Sequence, residues 1–181
     1  MRKLLIICLI MIFNIFPANA NYDELAYDFH FNGINGEKIN LEDYKGKVII
    51  VVNVASRCGY TPQYEQLQKV WMNYKNKDVV VIGVPTNNFK QEPGTNSEIK
   101  DFCETNFGIS FPMTEKIDVI GSKAHPFYTW AKKNHGISAI PKWNFHKIIV
   151  SKNGKVADTF APFTKPDSKK FIKSLETALK N

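Results

Sequence analysis

Two long apolar runs, each nearly continuous in β-branched residues, constrain the fold of this chain more than any other feature. Residues 48–55 have the sequence VIIVVNVA, and residues 79–84 have the sequence VVVIGV. Such runs are typical of strands that are buried on both faces of a sheet. Between them, apolar residues recur at helical spacing, at Leu67, Val70, Trp71 and Tyr74. Two buried strands joined by a helix predict a βαβ unit with parallel pairing and a right-handed crossover.

The rest of the pattern predicts further helices around this unit. The connecting helix should begin near Thr61 and Pro62, because Thr is a common N-cap and Pro is preferred at the first helical position. A second helix is predicted over 95–106, a third over 124–133, and an amphipathic C-terminal helix from near Pro166.

Additional strands are predicted on either side of the βαβ unit. In residues 27–41, apolar and polar residues alternate on either side of a glycine-containing turn, which predicts an N-terminal β-hairpin. Residues 145–150 and 156–160 flank Asn153 and Gly154, which together form a strong hairpin turn signal. No linker or composition break follows residue 21, so residues 21–181 are predicted to form one α/β domain.

Residues 1–20 have the pattern of a cleavable signal peptide. They combine a basic start, an apolar run at 4–13 and a small–x–small motif that ends at Ala20. The apolar run is short for a permanent membrane span, although an uncleaved anchor is the alternative. The chain is therefore predicted to be exported to the periplasm, with a mature form that starts near Asn21.

Charge and histidine spacing exclude two classes of function. The formal net charge of +7 is spread along the chain, without the basic runs or interleaved aromatic residues of a nucleic-acid binder. The histidines do not have the spacing of metal ligands, and no metal or bound cofactor is predicted. They are His30, His125, His135 and His146.

Cys58 has the placement of a reactive thiol. It follows a predicted buried strand and precedes a predicted helix N-terminus, where free N–H groups and the helix dipole stabilise an anion. Arg57 adds a positive charge beside it. Two alternatives remain at this point: Cys58 is a small buried apolar residue, or it forms a structural disulfide with Cys103.

The residues after Cys58 indicate which redox reaction this cysteine can perform. The segment 58–61 has the sequence CGYT and therefore lacks the Cys-x-x-Cys pair of dithiol exchange proteins. The missing pair also argues against an exported copper-handling protein. A single thiolate favours transfer of an oxygen atom to sulfur, which produces a sulfenic acid.

Three segments together resemble the glutathione peroxidase family. Residues 53–59 (NVASRCG) are similar to its active-site segment, residues 89–94 (FKQEPG) to its second signature, and residues 143–145 (WNF) to its third. The resemblance extends over nearly all of residues 25–180. It implies a thioredoxin-like fold, in which helices flank a central mixed β-sheet, and the reduction of hydrogen peroxide and organic or lipid hydroperoxides.

The resemblance also implies a catalytic tetrad of Cys58, Gln91, Trp143 and Asn144. The two amides and the indole offer N–H donors that can hold a thiolate and stabilise developing charge. Without the resemblance, Trp143 would be assigned to core packing beside Phe145, and Gln91 to a loop cap.

By the same resemblance, Cys103 is a resolving cysteine that condenses with the Cys58 sulfenic acid into a disulfide. A thioredoxin-like protein or glutathione would then reduce that disulfide. The alternative for Cys103 is an inert cysteine in a helix core. An alternative for the whole protein is a peroxide sensor that passes its oxidation to a client protein.

The chain departs from the family pattern in three places. Residues 85–89 (PTNNF) lack the cysteine that the family usually carries there, and the loop between Phe89 and Gln91 is one residue shorter than usual. The segment between Trp130 and Pro141 lacks the insertion of the tetrameric members, which predicts a monomer.

Overall fold

The computed structural model describes residues 23–181, so the predicted leader and its cleavage site lie outside the described residues. The strands are β1 (His30–Asn32), β2 (Lys38–Asn40), β3 (Val48–Val54), β4 (Val79–Pro85), β5 (Lys147–Val150) and β6 (Val156–Phe160). The α-helices are α1 (Gln63–Tyr74), α2 (Asn96–Phe107), α3 (Pro126–His135) and α4 (Lys169–Lys180). Short 3₁₀ helices lie at Ala26–Asp28, Leu41–Tyr44 and Gly136–Ala139.

The central sheet has four strands in the order β4-β3-β5-β6. Strands β3 and β4 pair in parallel, with Val48 opposite Val79, which confirms the predicted βαβ unit. Strand β5 pairs antiparallel with both β3 and β6, so the sheet is mixed. Strands β1 and β2 form the predicted N-terminal hairpin. The fold is thioredoxin-like, as the resemblance implies.

Helices cover both faces of this sheet. Successive residues of a strand point to opposite faces. Ile50 and Val52 pack in an apolar cluster with residues of α1, α2 and α4, whereas Ile49 and Val51 pack in a second cluster with residues of α3 and the hairpin. Because Cys58 belongs to the first cluster, we call that side of the sheet the Cys58 face.

The structure moves several predicted element boundaries, each for a local reason. Helix α1 begins at Gln63, since the Thr61 hydroxyl is engaged elsewhere and does not cap the helix. Helix α4 begins at Lys169, where Ser168 accepts a hydrogen bond as the N-cap. Strand β5 begins only at Lys147, because Phe145 has a φ of 64°, which is incompatible with an extended strand.

The predictions for the other two helices agree more closely. Helix α2 is capped by Thr95, and helix α3 begins with Pro126 at its first position. Among the helices of residues 23–181, none is both long enough and apolar enough to cross a membrane.

Candidate active site

A tight turn after strand β3 holds Cys58. The Cys58 backbone N–H donates to the Thr61 hydroxyl at 3.0 Å, and that hydroxyl donates to the Ala55 carbonyl at 2.8 Å. The Thr61 N–H in turn donates to the Cys58 carbonyl at 3.0 Å. Thr61 is buried, so these bonds form away from competing water. The turn therefore fixes the backbone of Cys58 at the carboxyl end of a buried parallel strand.

The sulfur of Cys58 is nearly buried and is contacted by the backbone of this turn. Its residue is only 7% exposed and forms no disulfide. The Tyr60 backbone N–H donates to Cys58 Sγ, with 3.4 Å between nitrogen and sulfur. A peptide N–H directed at sulfur stabilises a thiolate more than a thiol, because hydrogen bonds to an ionised acceptor are stronger. The turn is thus suited to hold a reactive thiolate.

The Gln91 segment is bound to the residues just before Cys58. The Arg57 N–H donates to the Gln91 carbonyl at 3.0 Å. Both the N–H and the hydroxyl of Ser56 donate to the Glu92 carboxylate, at 2.7 and 3.0 Å. Lys90 has a φ of 58°, a conformation that bulky residues adopt only when their surroundings impose it. Gln91 is consequently held beside the reactive turn despite the shortened loop.

Glu92 is the buried carboxylate of this contact. It is 1% exposed, and burial raises its pKa, while the hydrogen bonds from Ser56 and the charges of Lys116 and Arg57 oppose that rise. Glu92 lies within the second signature, but the sequence gives it no role, because a glutamate beside Pro93 and Gly94 carries no signal that its partner is a backbone N–H 36 positions away.

The Trp143–Asn144 segment reaches the same place from β5, which flanks β3 on the side opposite β4. Asn53, in strand β3, donates through Nδ2 to the Trp143 carbonyl at 3.0 Å. The Asn53 carbonyl accepts from the Phe145 N–H at 2.6 Å. The positive φ of Phe145 turns the chain back into strand β5 immediately after Asn144. A strained residue thus adjoins each of the two signature amides, Lys90 before Gln91 and Phe145 after Asn144.

The side chains of Gln91 and Asn144 meet each other directly. Asn144 is fully buried, and its Nδ2 donates to Gln91 Oε1 at 2.9 Å. This orientation leaves the Gln91 amide N–H free of that contact, while the Asn144 carbonyl oxygen is buried without a hydrogen-bond partner. Among residues 23–181, the hydrogen bond to Cys58 Sγ comes from Tyr60, and neither amide donates to it.

Trp143 does not lie in the core, where its aromatic side chain alone would place it. Its side chain is 42% exposed, and its ring lies 5.5 Å from the ring of Phe89, centroid to centroid. Phe145, by contrast, is fully buried and packs edge-on against Tyr64. Trp143 therefore contacts the Gln91 loop at the surface, with its ring tilted against that of Phe89, and Phe145 occupies the core position.

Cys103 lies on helix α2 in the same apolar cluster as Cys58. It is 1% exposed and forms no disulfide. Burial raises the pKa of the Cys103 thiol to about 11, and the negative charges of Glu92 and Glu104 add to the rise. The thiol is therefore protonated and shielded from solvent in this state.

The described residues contain no cluster of three or more His, Cys, Asp or Glu side chains that could hold a metal ion. His125 is half-buried and stacks on Phe31, with 4.3 Å between ring centroids. His146 is buried, and burial lowers its pKa to about 4.

Comparison with known proteins places this geometry in context. Residues 26–132 match a protein family described as glutathione peroxidase. The chain is 46% identical to "Glutathione peroxidase" of Lactococcus lactis, over 78% of this chain and 92% of that protein. It is 40% identical to "Hydroperoxy fatty acid reductase gpx1" of Synechocystis, over 82% of this chain and 93% of that protein.

Solved structures give the same result for the fold. A crystal structure described as Trgpx in apo form superposes with a TM-score of 0.70 at 34% identity, covering 88% of this chain and 97% of that one. T. cruzi GPX1 superposes with a TM-score of 0.67 at 32% identity, covering 87% and 98%.

Proposed function

Since the chain belongs to the glutathione peroxidase family and is a peroxidase of that type, we propose that it reduces hydroperoxides through the sulfur of Cys58. The observation that carries this assignment is the hydrogen bond from the Tyr60 N–H to Cys58 Sγ, in a turn that adjoins the Gln91 segment. The substrates are hydrogen peroxide and organic or lipid hydroperoxides. No metal or bound cofactor takes part, because sulfur itself carries the electrons.

The first half-reaction transfers one oxygen atom to sulfur. The Cys58 thiolate attacks the terminal oxygen of the hydroperoxide, an S–O bond forms, and the O–O bond breaks. The departing oxygen takes up a proton and leaves as water or an alcohol, while Cys58 becomes a sulfenic acid. Donors near that oxygen accelerate the step because negative charge develops there in the transition state.

We assign those donors to Gln91, Trp143 and Asn144. The Gln91 amide N–H is not used by Asn144, and the Trp143 indole N–H lies on an exposed ring beside the same loop. Because Asn144 Nδ2 contacts Gln91 Oε1, its first effect is to fix the orientation of the Gln91 amide. Substrate binding completes the arrangement, since catalytic hydrogen bonds often shorten only when the substrate is present.

The second half-reaction regenerates the thiol by way of Cys103. The Cys103 thiol attacks the sulfenic sulfur, a disulfide forms, and the sulfenic oxygen leaves as water. A thioredoxin-like dithiol or two molecules of glutathione then reduce the disulfide by exchange. Because Cys103 is buried in helix α2, this step requires α2 to open locally.

The burial of Cys103 also supports a second candidate, a peroxide sensor that oxidises a client protein. If α2 opens slowly, a client thiol can reach the Cys58 sulfenic acid before Cys103 does. A sensor of this kind stops after one turnover without its client, whereas a peroxidase continues with a generic thioredoxin.

The first test concerns Cys58 itself. We expect Cys58→Ser to reduce peroxide consumption to the uncatalysed background with either thioredoxin or glutathione, because a serine hydroxyl is not ionised at neutral pH. The assay follows hydrogen peroxide and a fatty-acid hydroperoxide in parallel. Substantial turnover by this variant would exclude the proposed mechanism.

The second test separates the resolving role from an inert cysteine. In Cys103→Ser we expect the first turnover to remain, as measured by trapping of the sulfenic acid with dimedone. Steady-state turnover with thioredoxin should fall, and no intramolecular disulfide should form. If the variant turns over with thioredoxin as fast as the wild type, Cys103 is not the resolving residue.

We also propose that the protein is an exported monomer whose leader, residues 1–20, is cleaved near Ala20. An exported location favours a periplasmic thioredoxin-like protein over cytosolic reductants. N-terminal sequencing of the mature protein and gel filtration address these two statements directly.

A further inference from the structure

Lys147, in strand β5, is fully buried on the same side of the sheet as Cys58. It pairs with Val52 of β3 and Phe160 of β6, and both of those residues belong to the apolar cluster of the Cys58 face. Among the Lys, Arg, Asp and Glu side chains of residues 23–181, the buried ones are those of Lys147 and Glu92. Removing an ammonium group from water is costly unless other groups solvate it.

Neutral oxygens solvate the Lys147 ammonium. Nζ donates to Gln63 Oε1 at 2.5 Å, to the Thr164 carbonyl at 2.8 Å, and to the Pro162 carbonyl at 3.4 Å. Gln63 Nε2 also donates to the Pro162 carbonyl, at 2.6 Å. No carboxylate of the described chain pairs with the ammonium. Burial lowers the pKa of Lys147 to about 7.

Hydrogen bonds connect Lys147 to the reactive sulfur through Gln63 and Tyr60. Gln63, which Lys147 holds through its side chain, donates from its backbone N–H to the Tyr60 carbonyl at 2.9 Å. Tyr60 in turn donates from its own N–H to Cys58 Sγ at 3.4 Å. Among the described residues, the N–H that contacts the sulfur belongs to Tyr60, and its position depends on the turn 60–63, whose last residue is held by Lys147.

We propose that Lys147 is a positioning residue for the reactive thiol: by holding Gln63, it fixes the turn that directs the Tyr60 N–H at Cys58 Sγ. The inference rests on the proposed function only in taking Cys58 as the reactive group. A stabilising role alone does not account for this lysine. An apolar side chain of similar length would fill the same space, and replacing buried charges with apolar residues often leaves stability unchanged or increases it.

The experiment measures the reactivity of Cys58 without peroxide. The probe is iodoacetamide, which alkylates thiolates, and a Cys103→Ser background ensures that the signal comes from Cys58. We compare Lys147→Met, Gln63→Met and the double variant at pH 7. Lys173→Met, on the exposed face of α4, is the matched control and should react like the parent.

We expect each single variant to slow alkylation by about tenfold, the effect of weakening one hydrogen bond to a charged acceptor. The double variant should be no slower than the slower single variant, because both changes interrupt the same chain of contacts. With the native Cys103 restored, the rate constant for oxidation by peroxide should fall in parallel. The rate at which thioredoxin reduces the preformed disulfide should not change.

Parent-like alkylation in a folded Lys147→Met variant would overturn the proposal, and so would fully additive effects in the double variant. If Lys147→Met does not fold, Gln63→Met decides, since it removes the link and leaves both carbonyl contacts of Lys147 in place. If the wild type shows no peroxide turnover, the proposed function fails, but the alkylation rates still test the role of Lys147.

Discussion

At the scale of single residues, burial gives the two cysteines of the described chain different properties. Cys58 is 7% exposed and contacts a peptide N–H, whereas Cys103 is 1% exposed and its pKa is raised to about 11. Both thiols lie in one apolar cluster, but Cys103 is the more deeply buried, and burial is the main cause of its raised pKa. This difference is consistent with Cys58 as the nucleophile and with Cys103 as a thiol that reacts only in a later step.

Residue burial also predicts how the protein responds to acid, through His146. Its pKa is about 4 in the folded protein because burial, and then the charges of Lys147 and Lys142, disfavour the imidazolium. The ordinary pKa near 6.5 applies in the unfolded chain. Between these values the unfolded state holds more protons, so stability is complete above pH 6.5 and is lost as the pH falls toward 4.

We therefore expect the free energy of unfolding to decrease by on the order of 1 kcal/mol between pH 6.5 and pH 5 because of His146. Urea unfolding at several pH values measures this slope. His146→Gln should flatten it, and His135→Gln, at the half-buried end of α3, should not. His125 contributes in the same direction, since burial lowers its pKa as well, so part of the slope should remain. An unchanged slope in His146→Gln would contradict the assignment.

At the scale of secondary-structure elements, helix α2 carries the buried Cys103 and is capped at both ends. Its N-terminus has a complete capping box: the Glu98 N–H donates to the Thr95 hydroxyl, and the Thr95 N–H donates to the Glu98 carboxylate at 2.7 Å. Its C-terminus ends at Gly108, whose φ of 58° is a conformation that glycine adopts readily. Both ends of the helix that carries the buried thiol are thus capped.

If α2 must open before Cys103 can react, weakening its cap should accelerate disulfide formation. We expect Thr95→Ala to lower the free energy of unfolding by about 1 kcal/mol. The same variant should increase the rate of peroxide-induced disulfide formation by about fivefold, the kinetic equivalent of that energy. Rapid-quench mass spectrometry measures the rate.

Thr177→Ala, on the exposed side of α4, is the control, because its hydroxyl donates to a helix carbonyl and does not cap. It should leave the disulfide rate unchanged. If Thr95→Ala is less stable but forms the disulfide at the wild-type rate, α2 does not open from its N-terminus during resolution.

At the scale of the whole molecule, the sheet assembles the site from segments that are far apart in sequence. The Cys58 turn follows β3, the Gln91 loop follows β4, and the Trp143–Asn144 segment precedes β5. Because β3 lies between β4 and β5, these three segments meet at one end of the sheet. The strand order therefore explains why three signatures that are separated in the chain form one constellation.

The sequence predicted much of this arrangement for an identifiable reason. Continuous apolar runs and turn residues determine strands, helices and hairpins locally, and Thr95 with Glu98 is a capping signal that needs no tertiary information. The boundary at Phe145 could not be predicted, since its positive φ results from hydrogen bonds between Asn53 and the segment around it.

Local periodicity and turn signals were enough to predict the βαβ unit and both β-hairpins, and the family pattern was enough to propose the residues of the candidate site. The contacts between particular atoms emerge only in the folded chain. The tertiary structure directed Asn144 at Gln91, the Glu92 carboxylate at Ser56, and the Lys147 ammonium at Gln63. Buried polar groups take whatever partners the packed chain brings within reach, and that choice is a property of the fold and not of any segment.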